Sequence, residues 1–221
     1  MTFDSATISM LLTGTLESLY MIAVSSLLAY VIGIPLGIIL IVADKDGIHP
    51  MPWLHKPLGI IINLIRSVPF IIFLLMMLPL TRMIVGTTLG STAVIPPLTL
   101  ASAPYVARVV ESSFKEVDGG IIEAAKSMGA STFQIIWKVY LPEAKPSLLV
   151  GAALAITTIL GYSAMAGFVG GGGLGDIAIR YGYYKYETNM MLITVAILVI
   201  IVQIIQEAGM GLSRKSDKRI K

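Results

Sequence analysis

Five apolar stretches, each long enough to cross a bilayer, leave this chain very few folds. They run roughly from Leu16 to Val42, Leu58 to Leu80, Ala93 to Phe114, Pro146 to Phe168 and Asn189 to Leu212. A helix needs about 20 apolar residues to span the hydrocarbon core, and lipid offers backbone N–H and C=O groups no partner outside the helix. Of the 221 residues 56% are hydrophobic and 13% charged, against about 25% charged in soluble domains. The expected fold class is an all-α integral membrane protein with about five transmembrane helices, forming a single domain over residues 1–221. Gly33, Pro35 and Gly37 are expected to kink the first span. The second is expected to be one span that holds Asn63, Arg66, Ser67 and Pro69. Pro146 is placed in the first turn of the fourth.

Charge sets an expected orientation. With five spans and the tail inside, the inner segments hold Lys45, Lys56, Lys115, Lys126, Lys138, Lys145 and the tail cations Arg214, Lys215, Lys218, Arg219 and Lys221. The outer segments hold only Arg82, Arg180 and Lys185. The positive-inside rule then puts the N-terminus outside and the C-terminus in the cytoplasm. It also accounts for the basic pI of about 9.1 without nucleic acid as a partner. Residues 1–15 carry Asp4 but no Lys or Arg, so the start lacks the basic region of a cleaved signal and is expected to be retained. There are no cysteines, hence no disulfides or thiolate metal sites. His49 and His55 lie in the first loop without a third ligand and read as solvated loop residues.

One polar, amphipathic stretch interrupts the apolar pattern, at about residues 118–142. Asp118 is placed to N-cap a helix containing Glu123, Ala124 and Ala125. Gly129 is placed to end it in a left-handed conformation. Ser131 and Gln134 have capping-box spacing for a second helix, which Pro142 is expected to close at Leu141. Phe133, Ile136, Trp137 and Tyr140 recur at helical spacing and give that helix an apolar face. Small Ala124 and Ala125 would let another surface approach closely. Residue types alone allow two readings: a hairpin lying on lipid headgroups, or one built to touch a partner.

The spacing Glu123-Ala124-Ala125, Gly129, then Val139-Tyr140-Leu141-Pro142 resembles the EAA loop of bacterial binding-protein-dependent ABC transporter permeases, with Val139 in place of the family's Ile. The resemblance implies that Glu123, Ala124, Ala125, Gly129, Leu141 and Pro142 form a cytoplasmic coupling helix seated on a separate ATPase subunit. Asn63-x-x-Arg66-Ser67-x-Pro69 is similar to a second-span segment of the same family. Gly161 to Gly167, the glycine run to Asp176, and Arg180-Tyr181-Gly182-Tyr183 resemble the methionine importer permeases. That likeness implies a homodimer in the bacterial cytoplasmic (inner) membrane, two ATP-binding subunits, an extracytoplasmic substrate-binding (lipo)protein, surrounding lipid, and no cofactor. The same loop occurs in permeases for other small amino acids and solutes.

Motifs of catalysis are missing. No segment reads G-x-x-x-x-G-K-[ST], so ATP hydrolysis is assigned to a partner subunit. Gly170, Gly172 and Gly175 fit G-x-G-x-x-G, but they follow a membrane span rather than a strand, which rules out a dinucleotide fingerprint. Glycines there give either a flexible or a tightly turned outer loop. Glu17, Asp44 and Glu207 fall near span ends, which disfavours a secondary transporter with midspan acids. A membrane anchor for another enzyme would bind no ATPase. Thr158, Tyr162 and Met165 share a face at i, i+4 and i+7, and Ser163 adds a hydroxyl. Gly151 and Ala155 extend that face with small residues. It fits close helix packing first, and after that a narrow pathway for a thioether side chain.

Overall fold

The computed structural model describes residues 5–217, so Asp4 and the tail cations Lys218, Arg219 and Lys221 lie outside the described residues. Among the described residues all regular structure is helical. In chain order the elements are α1 (Ser5–Ala43), α2 (Pro52–Ser67), α3 (Phe70–Val85), α4 (Ser91–Lys115), α5 (Gly119–Ser127) and α6 (Thr132–Ile135). A π-turn (Ile136–Tyr140), α7 (Leu141–Met165), a 3₁₀ turn (Ala166–Val169), α8 (Gly173–Ile177), a second π segment (Ala178–Tyr184) and α9 (Thr188–Ser216) follow. Four helical stretches are long and apolar enough to cross a membrane, or five if α2 and α3 count as one broken span.

The second span is not the single helix expected. The chain leaves helical geometry at Val68, because a following proline crowds the helical conformation of the residue before it. Pro69 then starts α3, its carbonyl accepting from Ile72 and Phe73 N–H at 3.0 Å each. One other expectation about proline also changes: Pro146 lies inside α7 rather than opening it. Pro35 sits within α1, which runs for 39 residues.

Packing divides the described chain into two compact units, each assembled from three separated segments. The first holds residues 5–29, 68–102 and 156–205. Its core gathers Met21, Phe70, Leu74, Val94, Leu98 and Ile159, all nearly inaccessible. The Phe70 ring stacks on Tyr162, with centroids 4.4 Å apart. Leu11, Ile177 and Met190 form a smaller cluster that ties α1, α8 and α9 together.

The second unit holds residues 30–67, 103–155 and 206–217. Leu40, Ile62 and Ala107 form its core. Close approach explains Gly33 and Gly37: a β-carbon on either would lie 2.6 Å from Cβ of Val106 or Val110. Small residues at such crossings are how helices pack where lipid removes the hydrophobic drive between them. By contrast, only 17% of the most apolar window of α9 is buried. Leu192, Val195, Val199, Ile200 and Ile204 stand exposed, as a lipid-facing or partner-facing surface requires.

Candidate functional site

The hairpin at residues 118–142 is built from local hydrogen bonds. The Asp118 carboxylate accepts from Gly120 N–H at 2.7 Å and caps α5. At the other end Gly129 takes φ +77°. Gly129 N–H donates to Lys126 O at 2.9 Å, and Ala130 N–H to Ala125 O at 3.1 Å. These are the two bonds of a Schellman termination. Two residues on, Gln134 N–H donates to Ser131 Oγ and Ser131 N–H to Gln134 Oε1 at 2.8 Å, a complete capping box.

Pro142 does not close this second helix. The chain runs on helically from Thr132 to Val169. Just before the proline the helix widens into the π-turn, where Leu141 N–H reaches back five residues to Ile136 O. A wider turn relieves the clash between a proline ring and the preceding turn of carbonyls. Leu141 is half-buried and Pro142 exposed.

The apolar residues of the hairpin divide between two surroundings. Ile135 is 1% exposed, and Tyr140 stacks on Phe114 with centroids 5.0 Å apart. Phe133 and Trp137 point the other way, 70% and 63% exposed, and stack on each other. Ile121 and Met128 are exposed as well. In the Glu-Ala-Ala segment Glu123 and Ala124 face out, whereas Ala125 is buried. Only Ala124 of the two alanines is therefore open to close approach.

A bracket and an ion-pair hub back this hairpin, and sequence reading missed both. His49 Nε2 and Thr132 Oγ1 share a hydrogen bond of 2.7 Å. Lys126 Nζ donates to Gly47 O at 3.3 Å. The first loop thus grips both hairpin helices. Deeper, Glu111 accepts from Arg108 at 2.6 Å and from Lys115 at 2.9 Å. Arg108 also donates to Gly59 O and Asn63 Oδ1, and Lys115 reaches Asp44 at 2.9 Å. The hydrogen-bonded Lys115 ammonium holds the Asp44 carboxyl below its ordinary range. His55 Nε2 lies 4.0 Å from both Asp44 and Glu111. His49 is exposed in the first loop as expected, whereas His55 lies partly covered in α2. Asp44, His55 and Glu111 could bring three ligand atoms together, but their carboxylates already hold Arg108 and Lys115. That makes the cluster an ion-pair hub. A cavity of about 530 Å³ between the first loop and the hairpin is lined by Asp44, Asp46, Lys115, Glu123, Lys126 and Tyr140.

The residues singled out on the fourth span do not share one environment. Tyr162 is packed on Phe70. Ser163 is 2% exposed and donates to Leu160 O on its own helix. Thr158 is half-buried, and Met165 stands 46% exposed. Gly151 serves packing, since a β-carbon there would lie 2.2 Å from Val109 Cγ1.

Beyond α7 the glycine run is a tight turn and not a flexible loop. Gly171 and Gly173 to Ile177 are buried. Gly173 N–H donates to Glu17 Oε2 at 2.6 Å, and Leu174 N–H to Ser18 Oγ at 2.9 Å. Asp176 is buried and accepts from Arg180 Nε at 2.7 Å. That hydrogen bond raises the guanidinium further above its usual value. Glu17 therefore lies well inside α1 and holds a turn 156 residues away.

Comparison with known proteins agrees with this architecture. Residues 33–220 match the family described as "Binding-protein-dependent transport system inner membrane component". The chain is 48% identical to the probable D-methionine transport system permease protein MetI of Vibrio cholerae, over 95% of this chain and 93% of the relative. It is 39% identical to the methionine import system permease protein MetP of Bacillus subtilis, over 98% of both. A solved inward-facing structure of the MetNI methionine ABC transporter superposes with a TM-score of 0.95 at 42% identity, covering 98% of this chain and 100% of that one. An amino acid ABC transporter solved with histidines shares the fold at a TM-score of 0.77 and 20% identity. With the family matched over most of its length and relatives similar throughout, this chain belongs to the binding-protein-dependent transport system inner membrane components.

Proposed function

We propose that this chain is the permease subunit of an ATP-driven methionine importer. It works as a homodimer, joined on the cytoplasmic side by two ATP-binding subunits and on the outer side by a substrate-binding protein. The N-terminus lies outside and the C-terminus in the cytoplasm, as the distribution of Lys and Arg favours. Residues 1–221 act as one permease domain.

The observation that carries this reading is the hairpin. Its two helices are locked by an Asp118 cap, a Schellman turn at Gly129 and a Ser131–Gln134 box. It nevertheless presents Ile121, Met128, Phe133 and Trp137 to its surroundings. A rigid element with a stacked aromatic pair exposed is suited to docking on a protein partner, where aromatics supply most of the contact energy. We assign coupling also to Glu123, Ala124 and Gly129, which are exposed, and to Ala125, Leu141 and Pro142, which are buried, half-buried and exposed. Methionine as the substrate is supported by the names of relatives similar over nearly the whole chain. For the pathway, Met165 is the exposed member of the Thr158, Tyr162, Ser163 and Met165 group, and a thioether suits a thioether-bearing substrate.

The test is reconstitution. The chain is purified with its ATP-binding subunit, placed in liposomes and given the binding protein with methionine. ATP hydrolysis stimulated by loaded binding protein, with uptake of labelled methionine, is the expected result. Stimulation by another amino acid but not by methionine would change the substrate and keep the permease. A chain that captures no ATP-binding subunit would sink the reading.

A further inference from the structure

We infer that Glu17 is a positioning residue for the transport step: with Ser18 it fixes the glycine-rich turn at residues 170–175, and so the end of α7 that carries Met165. The inference rests on the importer reading above.

A run of glycines has no preferred conformation of its own, because without a β-carbon both signs of φ are open. Here the run takes one conformation, with φ of +74° at Gly170, Gly172 and Gly173. Two side chains of α1 select it. Glu17 Oε2 accepts from Gly173 N–H at 2.6 Å, and Ser18 Oγ accepts from Leu174 N–H at 2.9 Å. Both residues that donate are buried, so without these acceptors two N–H groups would be left unpaired in an apolar surrounding.

The fit around these bonds leaves no slack. A β-carbon on Gly172 would lie 2.7 Å from Glu17 Oε2, and one on Gly173 2.7 Å from Ser18 Oγ. The same turn closes on α7 from the other side. A β-carbon on Gly167 would meet the Gly175 carbonyl carbon at 2.5 Å, and one on Gly175 the Ala164 O at 2.2 Å. Glu17 is also the one charged residue of α1, a costly placement in a membrane helix that normally marks a function. Its role is to make α1, the glycine turn and the last turns of α7 move as one piece. Loss of the acceptor lets the glycine run sample its other conformations, and the end of α7 loses its fixed position.

The experiment uses the full complex of this chain with its ATP-binding subunits in liposomes, with labelled methionine presented by the binding protein. Uptake per ATP hydrolysed is read for wild type, Glu17→Leu, Glu17→Gln and Ser18→Ala, alongside the size of each purified complex. Glu17→Leu should lower uptake per ATP by roughly ten- to hundredfold, as expected when buried donors lose their partner. Glu17→Gln keeps an accepting oxygen and should stay within about threefold of wild type, a rescue that a role for the charge would not give. An assembled Glu17→Leu complex with the wild-type ratio would overturn the role, and so would a Glu17→Gln complex as impaired as Glu17→Leu. If Glu17→Leu does not assemble, Ser18→Ala decides. Lowered uptake per ATP in its intact complex supports the role, and the wild-type ratio overturns it. A wild-type complex that takes up no methionine overturns the importer reading and this role together, whereas a transporting wild type matched by its variants overturns only the role.

Discussion

The hairpin at residues 118–142 and the glycine-rich turn are both tight, both depend on glycine, and are held by different means. In the hairpin the bonds that cap and turn its helices span a few residues: Asp118 to Gly120, Gly129 to Lys126, Ser131 to Gln134; the first loop adds two longer-range bonds, from His49 to Thr132 and from Lys126 to Gly47. The hairpin's outer face is left uncovered. In the glycine turn the decisive acceptors, Glu17 and Ser18, lie 156 residues away, and the turn is buried. A locally held element can keep its shape while its surface is free to dock. A remotely held one ties distant parts of the chain together.

Substitutions at the two kinds of glycine should separate these modes most sharply. Gly175 needs space, since a β-carbon would meet the Ala164 carbonyl oxygen at 2.2 Å. Gly175→Val forces backbone apart and should cost about 3 kcal/mol or more. The expected outcome is loss of the folded chain in a size measurement after detergent extraction. Gly129 has open space around it but needs φ +77°. Gly129→Val should cost about 1–2 kcal/mol through the backbone alone. It should leave the chain inserted and folded while weakening capture of the ATP-binding subunit. Equal loss of folded protein from both variants would erase the distinction.

That distinction also explains what could be read from the sequence. The caps at Asp118 and Ser131 and the left-handed Gly129 were readable because their partners lie within one helical turn. The apolar spans were readable because lipid imposes their length. The break at Val68–Pro69 was not, since a proline within an apolar run is compatible with either a kink or a break. Pro142 misled for a related reason: the π-turn before it absorbs the ring, and nothing in IWKVY announces that widening. Within the ion-pair hub Arg108, Glu111 and Lys115 lie three and four residues apart on α4, a spacing legible in sequence, but the contact of Lys115 with Asp44 joins residues far apart in the chain. So does the clamp of Glu17 on Gly173. A single sequence carries no periodic trace of such contacts. The division of Phe133 and Trp137 from Ile135 and Tyr140 depends on which side of the helix Phe114 covers.

Within the hairpin, Ser131→Ala removes the acceptor for Gln134 N–H and should cost about 1 kcal/mol. Weaker capture of the ATP-binding subunit with unchanged membrane content checks it. Undiminished capture would mean that the box does not set the docking geometry.

The smallest expected effect lies in the hub behind the hairpin. Asp44 has its folded value below the ordinary 3.8 because of Lys115. A depressed carboxylate stabilises above its unfolded value and loses that stabilisation as pH falls through the lower, folded value. Asp44→Asn should therefore lower the thermal midpoint near neutral pH, with the gap from wild type closing below about pH 4. A gap that stays constant across that range would show the ion pair to be inert.

The most direct measurement concerns the exposed aromatic pair. Phe133→Ala/Trp137→Ala removes two stacked rings that are mostly exposed, so folding and insertion should persist. Capture of the ATP-binding subunit and labelled methionine uptake are measured on the same preparation. We predict a folded, membrane-inserted chain that captures little ATP-binding subunit and drives no ATP-dependent uptake. Wild-type capture together with wild-type uptake would contradict the assignment of this hairpin as the coupling surface.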